Sequence, residues 1–169
     1  MDQKRIKNIN SKVDILTMDT MSLDKVTDAE IVCEYVRRFT IPAGEKLVSS
    51  RSSADHLRAF LMKEAQRERF AIIYLNAQNE IIKTEVLFEG SISTSAVYPR
   101  EVIMKVLENQ ASRIIIGHNH PSGCTSPSSS DRNLTIKLSE ALGAIDVDLL
   151  DHIIVGGENY FSFADHRLF

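Results

Sequence analysis

Two histidines and one aspartate have the spacing of a metal-binding group. His118 and His120 are separated by one residue and follow the apolar segment Arg113 to Gly117. Side chains of an extended segment alternate between its two faces, so both imidazoles leave this segment on the same side. Asp131, reached through a loop that contains proline and glycine, would supply a third ligand. Three protein ligands with one tetrahedral position left for water are typical of catalytic zinc sites, where zinc lowers the pKa of water to roughly 7.

The same residues also permit a structural interpretation. A histidine at the end of a strand is often only a polar cap, and Ser128 with Asp131 has the spacing of a capping box for the helix that follows. The two interpretations are compatible, because a capped helix start is a rigid place from which to present a ligand.

The first two predicted helices precede these residues. One begins behind Thr27, with a glutamate at the capping-box distance, and should stop before Pro42. The next has Ser52 or Ser53 as its N-cap and runs to about Gln66.

Two further helices flank the histidines in the sequence. Pro99 suits the first turn of a helix, which should direct four apolar side chains inward: Val102, Ile103, Val106 and Leu107. The last helix follows the loop that spans 119–130 and ends at Gly143.

Five segments read as strands. Phe70 to Leu75 and residues 80–89 are joined by the polar segment Asn76 to Asn79 and predict a hairpin. The segment Arg113 to Gly117 is too apolar for an exposed strand, and residues 147–155 and 160–163 complete the set. Helices mixed with both hairpins and crossovers predict an α/β fold, a sheet covered by helices.

Length and composition narrow the function further. With 169 residues, 43% of them hydrophobic, the chain can bury one core, and we expect an extension over residues 1–45, disordered up to about 26 and helical beyond, before a domain over 46–169. A net charge of −3 gives no general support to nucleic-acid binding. Neither a membrane span nor a signal peptide is indicated, so we expect a cytoplasmic location. Cys33 and Cys124 are far apart, so a metal must be held by histidines and carboxylates.

The segment HNHPSG at residues 118–123, with Ser128 and Asp131, resembles the JAMM motif, HxHP-x(6)-S-x(2)-D, of the JAB/MPN metalloprotease superfamily. Its HNHPSG form is similar to that of RadC-like proteins. Further similarity runs from Ser50 to Phe169 and includes residues 97–101, 150–156 and 161–163.

The resemblance implies a three-layer α/β/α domain with a mixed sheet, similar to cytidine deaminases. It implies that His118, His120 and Asp131 bind Zn²⁺, that Glu68 acts as general base, and that Ser128 stabilises the oxyanion of a tetrahedral intermediate. From the residues alone Glu68 is an ordinary charge at a helix end. Three other carboxylates compete with it, namely Glu85, Glu89 and Glu101, and the last suits the first turn of a helix.

The chain departs from RadC-like sequences in a few places. Ser91 and Tyr98 stand where threonine and histidine are common, and Asp165 replaces a usual glutamate. Residues 1–45 lack a helix-hairpin-helix region, which removes the obvious DNA-binding element and weakens a role in DNA repair.

Three other interpretations find little support. The tripeptide His118 to His120 spells HNH, but nucleases of that name spread these residues across a longer motif. The deaminase signature and the HExxH pattern of zincins are absent from the sequence. Asp151 and His152 are neighbours in a predicted strand and should point to opposite faces, which argues against a catalytic dyad.

Three functions remain open from the sequence. The first is zinc-dependent hydrolysis of an amide or isopeptide bond in a peptide substrate. The second is a nucleic-acid-associated accessory protein, of DNA repair or of a mobile element, whose metal site is structural or acts on a phosphodiester. The third is a metal-stabilised interaction module without catalysis. An exposed edge strand could allow a homodimer.

Overall fold

The computed structural model describes residues 26–61, 66–90 and 97–169. The chain divides into two units, residues 1–38 and 39–169. In the first, helix α1 (Asp28–Phe39) begins with the predicted capping box. The Thr27 hydroxyl accepts the Glu30 N–H at 3.3 Å, and the Glu30 carboxylate accepts the Thr27 N–H at 2.9 Å. The predicted disordered lead-in lies, up to residue 25, outside the described residues.

The second unit begins at Phe39. The backbone N–H of Gly44 donates to the Ile81 carbonyl at 2.8 Å, and Lys46 forms an isolated bridge with Glu80. These bonds join the segment after Phe39 to the backbone at Glu80 and Ile81.

Helix α2 (Ser50–Leu61) starts earlier than the sequence predicts. The prediction of Ser52 or Ser53 as N-cap is wrong, since the Ser49 hydroxyl accepts the Ser52 N–H at 3.1 Å and the Ser49 carbonyl accepts the Ser53 N–H at 3.0 Å. Several serines in this segment offer the same acceptor, and local chemistry does not distinguish them. The predicted end of this helix near Gln66 stays a prediction, because residues 62–65 lie outside the described ranges.

Within the described residues, five strands form one mixed sheet in the order β2-β1-β3-β4-β5. Strands β3 and β4 are parallel, and the other three pairs are antiparallel. The predicted hairpin of the first two strands is confirmed. The bounds are β1 (Arg69–Leu75), β2 (Ile81–Glu89), β3 (Arg113–Asn119), β4 (Asp148–Gly156) and β5 (Asn159–Ser162).

Helices cover both sides of the sheet, which confirms the predicted α/β/α arrangement. Alternation along β1 sends Ile73 towards α2 and Ile72 towards α3 (Pro99–Glu108) and α4 (Ser129–Gly143). We call these two sides the α2 face and the α4 face. One inward prediction is wrong: Leu107 is 59% exposed, because α3 has only a narrow buried stripe, of Val102 and Val106.

None of the helices in the described ranges is long and apolar enough to cross a membrane.

Candidate metal centre

The two histidines lie where β3 ends and converge as their spacing predicts. His118 is the penultimate residue of β3, and His120 follows the strand, with its N–H donating to the Val155 carbonyl of β4 at 2.9 Å. The two Nε2 atoms lie 3.0 Å apart. His118 is fully buried, whereas the His120 side chain keeps 18% of its surface exposed. One imidazole is therefore held in the core and the other faces the entrance.

Asp131 approaches the same point from the first turn of α4. The predicted capping box is present: the Ser128 hydroxyl accepts the Asp131 N–H at 3.1 Å, and the Ser128 N–H donates to Asp131 Oδ2 at 2.7 Å. Asp131 Oδ1 lies 3.4 Å from His118 Nε2, and Oδ2 lies 4.0 Å from His120 Nε2. The carboxylate of Asp131 therefore takes part in the cap of α4 and also lies beside the two histidines.

The distances among these atoms fit a small divalent cation. Ligands about 2.0 Å from a tetrahedral ion are about 3.3 Å from one another. The separations of 3.0 Å between the two Nε2 atoms and 3.4 Å between His118 Nε2 and Asp131 Oδ1 lie close to that edge length, and the 4.0 Å from His120 Nε2 to Asp131 Oδ2 is longer. His120 Nδ1 donates to the Cys124 carbonyl at 2.6 Å, so in a neutral ring its Nε2 carries no hydrogen and offers a lone pair. The donor set of imidazole nitrogen and carboxylate oxygen is one that zinc accepts.

A second carboxylate, that of Glu68, also reaches the histidine pair. Glu68 directly precedes β1 and is half-buried. One ligand atom from each of Glu68, His118 and His120 lies within 4.8 Å of the others. Glu68 and Asp131 therefore approach the histidines from β1 and from α4, and the cluster could hold a metal ion with either as a ligand. Asp131 Oδ1 lies 3.4 Å from His118 Nε2, and its carboxylate is fixed by the helix cap.

Asn119, which separates the two histidines, holds the chain on both sides of Glu68. Its Oδ1 accepts the Arg69 N–H at 2.8 Å, and its Nδ2 donates to the Arg67 carbonyl at 2.9 Å. The Glu68 carbonyl in turn accepts the Gly90 N–H at 2.9 Å. The backbone of Glu68 is thus fixed between β3 and the end of β2. The sequence analysis gave Asn119 no role of its own.

An open groove of about 420 Å³ lies beside Glu68. The described residues that line it are Gln66, Arg67, Glu68, Glu89, Gly90 and Pro121. Pro121, which directly follows His120 in the chain, places one side of this groove next to the candidate site.

The competing carboxylates serve other contacts. Glu85 accepts hydrogen bonds from Tyr74 and Lys83, Glu89 pairs with Arg69 at 2.6 Å, and Glu101 is exposed on the first turn of α3. Asp151 accepts hydrogen bonds from the Ser162 hydroxyl and the Ala164 N–H. The prediction that Asp151 and His152 form no dyad is thereby confirmed.

His152 and Thr135 contact the cluster, although the sequence analysis did not select them for it. His152 Nε2 lies 2.9 Å from His118 Nδ1, and His152 Nδ1 lies 2.7 Å from Thr135 Oγ1. Burial lowers the pKa of His118, a shift that Asp131 opposes and His120 reinforces, and burial holds the pKa of His152 well below its usual value. No pattern within one segment of the sequence points to this contact, because it depends on the parallel pairing of β3 with β4, which places His152 beside Ile116, on the same face as His118.

Comparison with known proteins agrees with this geometry. The profile of the RadC-like JAB domain matches residues 47–168. The chain belongs to this family. A UPF0758 protein of Vibrio atlanticus is 40% identical over 148 residues, which are 86% of this chain and 66% of the relative. A UPF0758 protein of Pseudoalteromonas translucida is 50% identical over 107 residues, 63% of this chain and 48% of the relative.

A third relative extends the pattern. A UPF0758 protein of Thiobacillus denitrificans is 40% identical over 139 residues, 80% of this chain and 62% of the relative. The RadC-like JAB chain thus spans between about half and two thirds of the length of these curated relatives. The resemblance seen in the HNHPSG segment is confirmed at the level of the family, and JAB domains are typically metal-dependent hydrolases.

Proposed function

We propose that this RadC-like JAB domain is a zinc-dependent hydrolase that cleaves an amide or isopeptide bond. The observation that supports it best is the convergence of two imidazole nitrogens, 3.0 Å apart, with Asp131 Oδ1 at 3.4 Å and the Glu68 carboxylate close by. His118, His120 and Asp131 would hold the metal. When bound there, zinc supplies a Lewis acid that polarises a carbonyl and makes water acidic enough to react near neutral pH.

Glu68 would move the proton. Its carboxylate takes a proton from the attacking water as the new C–O bond forms, and returns it to the leaving nitrogen as the C–N bond breaks. The clamp of Asn119 on both neighbours of Glu68 favours this role, because proton transfer needs a fixed distance. The open groove beside Glu68 gives an extended substrate a path to the carboxylate.

Ser128 would donate to the developing oxyanion. In this structure its hydroxyl donates to Asp131 Oδ2 at 2.6 Å, while the Ser128 backbone N–H donates to the same oxygen at 2.7 Å. Rotation of the hydroxyl towards a substrate would therefore leave Asp131 with one of its two hydrogen bonds from Ser128. Ser128 is exposed, so a substrate oxygen can reach it.

The roles of the two carboxylates can be separated with two conservative variants. We expect Glu68→Gln to keep bound zinc and to lose peptide and isopeptide cleavage by about 10²- to 10⁴-fold, the usual contribution of a general base. We expect Asp131→Asn to lose zinc. Zinc content is measured by atomic emission, and turnover is measured on peptide and isopeptide libraries and on DNA.

Two results would contradict the proposal. Loss of zinc from Glu68→Gln with retention by Asp131→Asn would exchange the two assigned roles. Cleavage of DNA but not of peptides, lost in both variants, would favour the nucleic-acid-associated function instead.

A further inference from the structure

A continuous series of hydrogen bonds runs behind His118, on the side of the ring that faces away from His120 and Asp131. His118 Nδ1 lies 2.9 Å from His152 Nε2, and His152 Nδ1 lies 2.7 Å from Thr135 Oγ1. The Thr135 hydroxyl lies 2.6 Å from the carbonyl oxygen of Asp131. The side chains of His118, His152 and Thr135 are all completely buried, at 0% exposure. We call His118, His152, Thr135 and the Asp131 carbonyl the relay.

The direction of every hydrogen bond in the relay follows from its last acceptor. A carbonyl oxygen can only accept, so the single hydroxyl hydrogen of Thr135 goes to Asp131. The Thr135 oxygen must then accept from His152, which places the hydrogen of that ring on Nδ1. Burial disfavours a charged imidazole, and a neutral one has a single N–H. His152 Nε2 therefore accepts from His118 Nδ1.

This direction leaves His118 Nε2 without a hydrogen. His120 Nε2 is bare for a similar reason, since its Nδ1 donates to the Cys124 carbonyl. Two lone pairs thus face each other across 3.0 Å, with a carboxylate oxygen at 3.4 Å from one of them. Such a set is repulsive in itself and becomes favourable when a cation lies between its members.

The relay also connects β3, which carries His118, with α4, which carries Asp131. His118 belongs to β3, His152 to β4, and Thr135 lies one turn after Asp131 on α4. Metal-binding histidines usually pass their second N–H to a carboxylate, a carbonyl or water. Here a second neutral imidazole takes that place, so the contact orients the ligand without adding a negative charge to the core.

We propose that His152 and Thr135 are positioning residues that fix the tautomer of His118 and thereby set the affinity of the site for its divalent cation. The inference takes His118 as a ligand and so depends on the metal site of the proposed function. It is independent of which bond is hydrolysed.

The tautomers can be observed in the metal-free protein. Long-range ¹H–¹⁵N correlation spectra distinguish a protonated ring nitrogen from a bare one, and His118→Gln and His152→Gln variants assign the signals. We expect both His118 and His152 to carry hydrogen on Nδ1. A hydrogen on His118 Nε2 in the metal-free wild type would overturn the proposal.

Affinity for Zn²⁺ alone, measured by competition with a chromophoric chelator, tests the consequence. Thr135→Val keeps the shape of the side chain and removes the acceptor for His152, and we expect about 10- to 100-fold weaker zinc binding. Thr135→Ser restores the hydroxyl and should bind within about threefold of the wild type, well short of that loss. His152→Gln places an amide near the lost Nε2, where it can still accept the His118 N–H, whereas His152→Asn places it near the lost Nδ1. The glutamine variant should therefore bind zinc more tightly than the asparagine variant.

A matched control separates positioning from simple destabilisation. His56 is also buried, at 1% exposure, and its Nε2 lies 2.8 Å from a threonine hydroxyl, that of Thr84. His56→Gln should lower the thermal midpoint without weakening zinc binding. Equal loss of zinc affinity in His56→Gln and Thr135→Val would reduce the relay to a structural role and overturn the proposal. Correct tautomers and tight zinc binding without cleavage of any peptide would support the relay while contradicting the proposed hydrolase.

Discussion

Both faces of the sheet contain buried histidines: His56 lies on the α2 face, and His118 and His152 lie on the α4 face beside the candidate site. On the α2 face, His56 accepts the Ile41 N–H on Nδ1 at 2.8 Å and lies 2.8 Å from Thr84 Oγ1 through Nε2. Burial lowers the pKa of His56 from 6.5 to about 4, and burial is also the main cause of the lowered pKa of His118. Low exposure and a shifted pKa are therefore common to both faces.

His118 differs from His56 at one ring nitrogen, Nε2, which has no hydrogen-bond donor beside it. Both nitrogens of His56 are used by a backbone N–H and a hydroxyl, so its ring completes the core. His118 uses Nδ1 towards His152, whereas its Nε2 faces another imidazole nitrogen and a carboxylate oxygen. A converging group of acceptors, more than burial, distinguishes the α4 face, on which the candidate site lies.

The largest effect that can test this comparison is on metal binding. Replacing His118 by Gln should weaken zinc binding by more than about 100-fold, beyond the loss caused by removing an outer partner, because it removes a ligand. Replacing His56 by Gln should leave zinc binding unchanged. Both affinities are measured by chelator competition, and zinc loss of similar size in His56→Gln would contradict the distinction between the faces.

The serine caps of the two faces offer the next test. Ser49 caps α2 and Ser128 caps α4, so either alanine variant should lose about 1 kcal/mol of unfolding free energy, measured in urea. Only Ser128→Ala should reduce kcat, by on the order of 100-fold, as expected when one oxyanion donor is removed. Unchanged kcat in Ser128→Ala would leave Ser128 with its capping role alone.

A smaller effect is expected from two asparagines, Asn119 at the end of β3 and Asn76 directly after β1. Asn119→Ala releases the chain around Glu68, and we expect kcat to fall by roughly 10-fold while zinc affinity stays near that of the wild type. Asn76→Ala, which loses the contacts of Asn76 Oδ1 with the Gln78 and Glu80 N–H groups in the hairpin turn, serves as the control. Equal kcat in the two variants would remove the positioning role of Asn119.

The smallest expected effect is on the pH dependence of the unfolding free energy, and it arises from His56 on the α2 face. The pKa of His56 is about 4 in the folded protein and 6.5 as the reference value, so between these limits the unfolded chain takes up a proton that the folded chain does not. Stability should therefore fall as pH decreases from 6.5 towards 4. His56→Gln should reduce this slope by about 1.4 kcal/mol per pH unit, measured by urea unfolding of the metal-free protein. An unchanged slope would contradict the assignment.

The sequence by itself determined the local parts of the site. Period-two alternation placed His118 and His120 on one side, and the capping spacing of Ser128 and Asp131 fixed the start of α4. The hairpin and the buried β3 also followed from short-range patterns. These features depend on residues a few positions apart, whose relative directions the backbone geometry fixes.

Only the tertiary structure decided which distant residues support those ligands. His152 reaches His118 because β4 pairs with β3 in parallel, and Asn119 holds Glu68 because β1 lies beside β3. The choice of Ser49 over its neighbouring serines and the exposure of Leu107 depend in the same way on how each helix packs against the sheet. Register and packing join segments far apart in the chain, and no spacing within a single segment encodes them.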